Sequence, residues 1–398
     1  MDYPKLNEYH LKLWNDQACG VCQRGPWTPY PPRGPAPDRL CPTWEHYRRI
    51  SYTAQGWIQA GRTLLEGNLE MEPMFVDYVY TCNLCGSCTN SRCVIAGDQV
   101  DIIKAWREDL VDLGWGPTDP WKKDAELIAK EGNRFGRKQS ERAKWAEGMK
   151  WAEGMNLLEK ADTVFFAGCV ASFRTPELAQ STAKVLRHAG VDFAILGENE
   201  FCCGNPLEQS GQRKAYEEIV TKNVEALKAA GAKTVVTACG CCYHNLATQY
   251  QKVVGELPFE VIHQVQMLDR LVAEGRIKPG KAPSGKVTYQ DPCHLVRMGT
   301  RAWEEPRRVL KAIPGIDFVE MEAKRRSAWC CGRNPMEQPE LSMTTGQYRI
   351  DDAREVGAET IITACSFCDW SLGRAAKSMD ADVKIKSMDQ TLVESMGL

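Results

Sequence analysis

No stretch of the 398-residue chain approaches the ~18 consecutive apolar residues that a membrane-crossing helix needs, so direct membrane insertion is not expected. Neither sign of charge dominates. The 50 Lys and Arg oppose 52 Asp and Glu, which argues against the basic face of a nucleic-acid binder. There is no G-x-G-x-x-G and no P-loop, so flavin, nicotinamide and nucleotide chemistry is expected on another polypeptide. The opening MDYPKLNEYHLKLWND has neither the basic start nor the apolar core of a secretory signal, and a cytoplasmic location follows as the expectation. Histidine is scarce: His10, His46, His188, His244 and His263 are dispersed, and only His244 and His294 lie beside cysteine motifs. Cysteine is what the chain has in quantity. Eighteen of them without a secretory signal argue for reduced metal ligands rather than a disulfide framework.

Ten of these cysteines form one pattern written twice. Cys169, then Cys202-Cys203-Gly204, then Cys239-x-x-Cys242 is answered by Cys293, then Cys330-Cys331-Gly332, then Cys365-x-x-Cys368. Equivalent positions lie 124, 128, 126 and 126 residues apart, which marks an internal duplication. The surrounding text repeats too, GAKTVVTACGCC being answered by GAETIITACSFC. The runs ADTVFFAGC, TVVTAC, GKVTYQDPC and TIITAC read as strands ending at a cysteine, and YEEIVTKNVEALKAAGAK and YRIDDAREVGAE read as helices preceding two of them. Strand ends are where open α/β sheets place their ligand crevice. Five soft thiolates per unit suit iron–sulfur, zinc or Cu(I) chemistry. Cys241 has no counterpart, since Phe367 occupies its position, and reads as a buried thiol.

The N-terminal third is different. Cys19-Gly-Val-Cys22, a Pro/Gly-rich loop and Cys41-Pro42 precede a helical stretch and then Cys82-x-x-Cys85-x-x-Cys88 with Cys93. The last run nearly matches the bacterial ferredoxin spacing, with four residues before Cys93 and Val94 where proline is usual. A structural zinc site is the alternative, though zinc favours two separated CxxC pairs. The organisation expected is a helical, ferredoxin-like module over 1–120, a charged helical linker over 121–160, and two α/β units over 161–285 and 286–398. The linker repeats KWAEGM at 144–149 and 150–155, either a bridging helix or a tryptophan-bearing docking surface.

The paired CCG units, with DPCHL over Asp291–Leu295, resemble the catalytic subunits of heterodisulfide reductase. They are also similar to the iron–sulfur subunits of glycolate, lactate and glycerol-3-phosphate dehydrogenases, and to CCG-pair proteins of benzoyl-CoA-reductase-type complexes. The resemblance spans residues 10–398. It implies an α+β/α/β architecture, with a ferredoxin-like module followed by two CCG domains related by a pseudo-two-fold axis. It also implies two [4Fe–4S] cubanes in the module and two CCG-bound, non-cubane four-iron clusters, in which bridging thiolates use the fifth cysteine. One cubane per unit with a spare thiol is the alternative. Glycolate-oxidase-type subunits read CxxCGxCxxxCPTY at the first motif. Here the first position is Asp16, followed by Cys19 and Cys22, and the loop before Cys41-Pro42-Thr43-Trp44 has grown to 18 residues. Crossing the fourth ligands as ferredoxins do groups Cys82, Cys85, Cys88 and Cys41 around one cubane. The other is left with Cys19, Cys22, Cys93 and either Asp16 or an open corner, as in a [3Fe–4S] cluster. The bland reading of Asp16 is a surface residue at a helix end. Gly204 and Gly332 fit backbone passing close to a cluster. His294 could donate a proton to a thiolate leaving group, or simply hydrogen-bond the cluster. The expected function is an electron relay within an anaerobic redox complex. Its partners would be a flavoprotein or iron–sulfur donor and an acyl-CoA reductase or dehydrogenase component. Disulfide reduction between the CCG clusters and a zinc-stabilised binding module are the rivals.

Overall fold

The computed structural model describes residues 2–16, 22, 39–89, 98–147, 160–298 and 301–398. Cys19, Cys93, the Pro/Gly-rich loop and the second KWAEGM copy lie outside them. The N-terminal part is helical: α1 (Pro4–Asn7), α2 (His10–Trp14), α3 (Pro42–Tyr47), α4 (Ala54–Leu65), α5 (Pro73–Tyr80) and α6 (Gln99–Asp112). The sequence pattern reads as one amphipathic helix through Leu6 and Trp14. The structure breaks it at Tyr9, because α1 packs on α6 and α2 on α4. The buried Asp109 carboxylate of α6 accepts the N–H groups of Lys5 and Leu6 at 3.1 and 2.8 Å, satisfying donors that the start of α1 would otherwise leave open. Leu6, Leu13, Trp57, Ile103 and Trp106 form the core of this part. Helix α7 (Asp119–Glu131) follows and adds Trp121 to it.

The rest is two parallel sheets. β1 (Thr163–Phe166), β2 (Ala194–Ile195), β3 (Thr234–Thr237) and β4 (Glu260–His263) assemble in the order β2-β1-β3-β4, and β5 (Val287–Gln290), β6 (Thr360–Thr363) and β7 (Lys384–Ser387) in the order β5-β6-β7. Strands β1, β3, β5 and β6 are the apolar runs read from the sequence. β-Branched and aromatic residues suit a strand buried on both faces, as parallel sheets with helical crossovers require. Register aligns Val164 with Val235 and Tyr289 with Ile362. Covering helices are α8 (Gly168–Phe173), α9 (Pro176–His188), α10 (Asn205–Gln209), α11 (Arg213–Ala229), α12 (Gly240–His244), α13 (Gln251–Val254) and α14 (Gln264–Ala273) on the first sheet. On the second they are α15 (Cys293–Val296), α16 (Glu305–Lys311), α17 (Pro339–Glu355), α18 (Ser366–Ser378) and α19 (Met388–Met396). α9 lies against α19 and α14 against α16, so helices of each sheet pack on helices of the other. Both α14 and α19 open on a capping box, at His263 with Gln266 and at Ser387 with Gln390. Among the described residues no helix is long and apolar enough to cross a membrane.

Arg107 of α6 joins the two parts. Fully buried, it donates to the carbonyls of Val79, Cys82 and Gln209 at 2.9, 2.8 and 2.9 Å, and Tyr80 Oη donates to Ser210 O at 2.7 Å. Gly211 makes this approach feasible. Its φ is +79°, and a Cβ there would stand 2.5 Å from the Arg107 carbonyl. Gly211→Ala should therefore destabilise by about 3 kcal/mol, combining left-handed strain with overpacking against backbone. Gly231→Ala, with φ +75° but open space around it, should cost only about 1 kcal/mol. Anaerobic thermal denaturation of both variants checks the difference.

Candidate metal centre

In each unit two of the repeated cysteines are placed where a strand gives way to a helix. Cys239 and Cys365 are the N-cap residues of α12 and α18, Cys293 opens α15, and Cys169 lies in the first turn of α8. Cys242 and Cys368 follow one turn later, on the same helices as the caps. The CCG segments are extended and turn at Gly204 and Gly332, with φ +81° and +82°. A Cβ on Gly204 would meet the Tyr216 ring at 2.8 Å, and one on Gly332 would collide with the Ser342 carbonyl.

All ten thiols are buried and form one continuous line. In the first set Cys169 contacts Cys202, Cys202 contacts Cys203, Cys203 contacts Cys242, and Cys242 contacts Cys239. The second set repeats the order, from Cys293 through Cys330, Cys331 and Cys368 to Cys365. The sets meet where Cys239 Sγ and Cys365 Sγ stand 3.8 Å apart and Gly240 N–H points at Cys365 Sγ from 3.4 Å. Cys241, the unmatched thiol, lies at this junction against Cys239 and Cys365. The second cysteine of each CCG is drawn down to about 5, Cys203 by hydrogen bonds from Cys202 and Cys242, and Cys331 by those from Cys330 and Cys368. Cys202 is pushed up to about 12. Its contact with Cys169 opposes the rise, but that with Cys203, together with burial, outweighs it.

In the N-terminal part Cys41, Cys82, Cys85 and Cys88 line a single cavity with Trp57, Leu84 and Ile103. Burial pushes Cys41 to about 12 and Cys82 to about 11. Cys85 packs directly on Cys293 and Cys330, so this thiol group adjoins the second set. Arg297 fastens the contact, donating to the carbonyls of Cys85 at 2.8 Å and Ala328 at 2.7 Å. Asp16 and Cys22 are both partly exposed, and Cys19 and Cys93, expected beside them, lie outside the described residues.

Several residues near the thiols escape any spacing rule. Arg142 comes from the segment read as a linker, yet it is buried and directs Nη1 and Nη2 at Cys169 Sγ, each at 3.6 Å. It pairs with Glu200 at 2.8 Å, whose carboxylate also accepts the N–H groups of Ala167 and Gly168. Arg134, from the same segment, pairs with Asp124 at 2.5 Å and with Glu337. Arg333 sits between the two sets, close to Cys241 on one side and Cys293 on the other. The first KWAEGM tryptophan, Trp145, is buried edge-on against Phe165 at 5.8 Å, so it serves the core and not a docking surface. His294 does reach a cysteine, with Nδ1 3.3 Å from Cys293 Sγ. Burial first, and then Arg333, lowers it to about 4, so the imidazole is neutral near pH 7. His244 stacks edge-on against it, with ring centroids 5.4 Å apart.

Among the described residues no group of three or more His, Cys, Asp or Glu is arranged to hold a single ion. The thiols are strung out in contacting pairs. Thiolates distributed this way suit a polynuclear cluster, whose irons take ligands around an extended body, better than one Zn²⁺ with sulfurs at about 2.3 Å. The dry surroundings, the Arg142 N–H groups at sulfur and the buried arginines fit an anionic, thiolate-ligated group.

Two five-thiol sets on paired parallel sheets mark a cysteine-rich iron–sulfur protein, and the CCG cysteine-rich domain family matches residues 163–247 and 287–373. A dihydromethanophenazine:CoB–CoM heterodisulfide reductase subunit from Methanosarcina barkeri is 33% identical over 96% of this chain and 93% of its own length. A probable iron–sulfur-binding oxidoreductase of Bacillus subtilis is 28% identical over 94% of this chain and 53% of that one. The EtfAB:quinone oxidoreductase of Syntrophomonas wolfei is 29% identical over 82% and 47%. The chain belongs to the family of CCG-bearing heterodisulfide reductase subunits and is an iron–sulfur oxidoreductase.

Replacing Arg142 alone would strand the Glu200 carboxylate in a buried site. Arg142→Met should cost about 3 kcal/mol, the usual penalty for breaking a buried pair from one side, and Arg142→Met with Glu200→Gln should recover most of it. Anaerobic urea denaturation of the two variants measures the recovery.

Proposed function

We propose that the chain is an electron-relay subunit of a multi-subunit oxidoreductase. Cys41, Cys82, Cys85 and Cys88 hold one cubane, and Asp16, Cys19, Cys22 and Cys93 surround the other. Cys169, Cys202, Cys203, Cys239 and Cys242 hold one non-cubane cluster, and Cys293, Cys330, Cys331, Cys365 and Cys368 the second. Five thiolates exceed what a four-iron cube uses, which supports the non-cubane form. The clusters supply one-electron transfer. The protein's part is to hold the four sites in order, keep water from the thiolates and place N–H donors at sulfur. One observation carries the reading: an unbroken run of thiols leads from Cys85 through Cys293 and Cys330 to Cys365, across to Cys239, and on to Cys169. Electrons would enter the pair at the second set. The reciprocal packing of α9 on α19 and α14 on α16 supports a pseudo-two-fold relation between the CCG units. The chemistry calls for a flavoprotein or iron–sulfur donor and an acceptor protein, an acyl-CoA reductase or dehydrogenase being one candidate.

A second reading is favoured by the junction itself. Two complete thiol sets meet at 3.8 Å, so a disulfide placed there could receive one electron from each side, as the heterodisulfide reductase relatives' name suggests for them. The His294 N–H beside Cys293 would then lie near the departing sulfur.

Anaerobically prepared protein should contain ~16 iron atoms per chain. About 8 iron, or stoichiometric zinc, would remove the four-cluster reading. Cys331→Ser should stop electron delivery to the native partner, while stopped-flow oxidation by alkyl disulfides stays absent in both proteins. Rapid oxidation of the wild type by disulfides, lost in the variant, would replace the relay with the disulfide reductase. Asp16→Cys should keep the iron content and slow cluster loss in air, because thiolate binds iron more firmly than carboxylate. Unchanged paramagnetic resonance spectra and air sensitivity would place Asp16 outside the coordination sphere.

A further inference from the structure

The residue after each CCG motif differs between the units: Asn205 follows Gly204, and Arg333 follows Gly332. The two meet across the junction, with Arg333 Nη2 donating to Asn205 Oδ1. Arg333 is 4% exposed, forms no ion pair among the described residues, and has its Nε without a hydrogen-bond partner. The thiols it feels most are Cys241, Cys293 and Cys330. The arginines beside the first set are matched, Arg142 by Glu200 and Arg134 by Asp124 and Glu337. Of the acids beside the second set, Asp291 is matched by Arg307 at 2.8 Å, while Asp369, next to Cys368, is buried with no ion pair among the described residues. The arginines beside the first set are thus paired, while Arg333, beside Cys293 and Cys330, is not.

We propose that Arg333 is a positioning residue that makes the second thiol set the higher-potential member of the pair. The inference rests on the reading that both sets hold iron–sulfur clusters. Two effects act in the same direction. Reduction adds one negative charge to a cluster, and a buried, uncompensated cation nearby stabilises that charge. Arg333, together with Gln209 Nε2 at 3.3 Å, also sets which ring nitrogen of His294 carries the proton. Its Nη1 stands 3.2 Å from His294 Nε2, and a guanidinium can only donate, so Nε2 carries the lone pair. The proton is therefore on Nδ1, pointing at Cys293 Sγ from 3.3 Å. An N–H donated to a ligand sulfur withdraws charge from it and raises the cluster's potential. Cys169, the counterpart of Cys293, instead receives its N–H groups from an arginine already neutralised by Glu200. An electron arriving beside Cys85 settles on the second set, and the first set fills only afterwards.

The test uses anaerobic, fully loaded protein, with ¹⁵N-labelled histidine and a redox titration followed by electron paramagnetic resonance. In the wild type the signal coupled to ¹⁵N, identified by loss of that coupling in His294→Gln, should titrate at the higher potential of the CCG pair. Arg333→Gln should keep its iron, alter the ¹⁵N coupling and shift that one midpoint downward by about tenfold in equilibrium constant, or 59 mV for one electron. Arg333→Lys, which keeps the charge, should fall between. The proposal is overturned if the ¹⁵N-coupled signal is the lower of the two in the wild type. It is also overturned if both midpoints move together, or if neither moves with iron intact. Absence of iron from the thiol sets of the wild type would instead defeat the cluster reading beneath it.

Discussion

The contact between the C-terminal edges of two parallel sheets, where Cys239 and Cys365 approach to 3.8 Å, is the constraint on which the thiol geometry depends. Parallel strands must be followed by crossovers, and the turn after each strand starts a helix whose first N–H groups are unsatisfied. A cysteine at such a turn sits beside backbone donors, as Gly240 N–H beside Cys365 shows. Because the strand–turn–helix unit is repeated, the same cysteine positions recur on both sheets, and packing edge to edge merges two five-thiol sets into one line.

Burying so many thiols together, in a form that must carry negative charge, requires positive charge inside the protein. It is supplied from outside the repeats or from a position where they differ. Arg142 and Arg134 come from the segment between the helical part and the first sheet, and Arg333 from the residue after the second CCG. Two are held by carboxylates and one is not. Isolated buried charge is costly, so an arginine without a carboxylate is held by carbonyls, as Arg107 is, or by an anionic neighbour. The thiols around Arg333 are that neighbour.

The helical part is anchored just as specifically. Arg107 and Gly211 hold α6 against the turn between α10 and α11, and Arg297 holds the Cys85 loop against the second unit. This fixes which CCG set the N-terminal cysteines adjoin, and so the direction an electron would take.

Much of the site was legible in the residues alone. The duplication and the strands ending in cysteine rest on local spacing, which a repeated strand–turn–helix unit preserves, while the grouping of Cys41 with Cys82, Cys85 and Cys88 came from the family resemblance. The glycines of the CCG turns were legible as glycines, and the packed helices add a further reason by placing Tyr216 and Ser342 against them. The segment over 121–160 differs in character from its composition. It reads as a charged helical linker, yet Arg134 and Arg142 are internal, because their buried ion pairs are made by partners 10 to 203 residues apart in the chain. Spacing alone named the residues able to ligate and their repeating order. Packing settled the rest: that Cys85 touches the second set, that Cys241 lies at the junction, and that Arg333 faces His294 with no acid to match it. Those are contacts between segments far apart in the chain, set by how sheets and helices stack, and no periodicity records them.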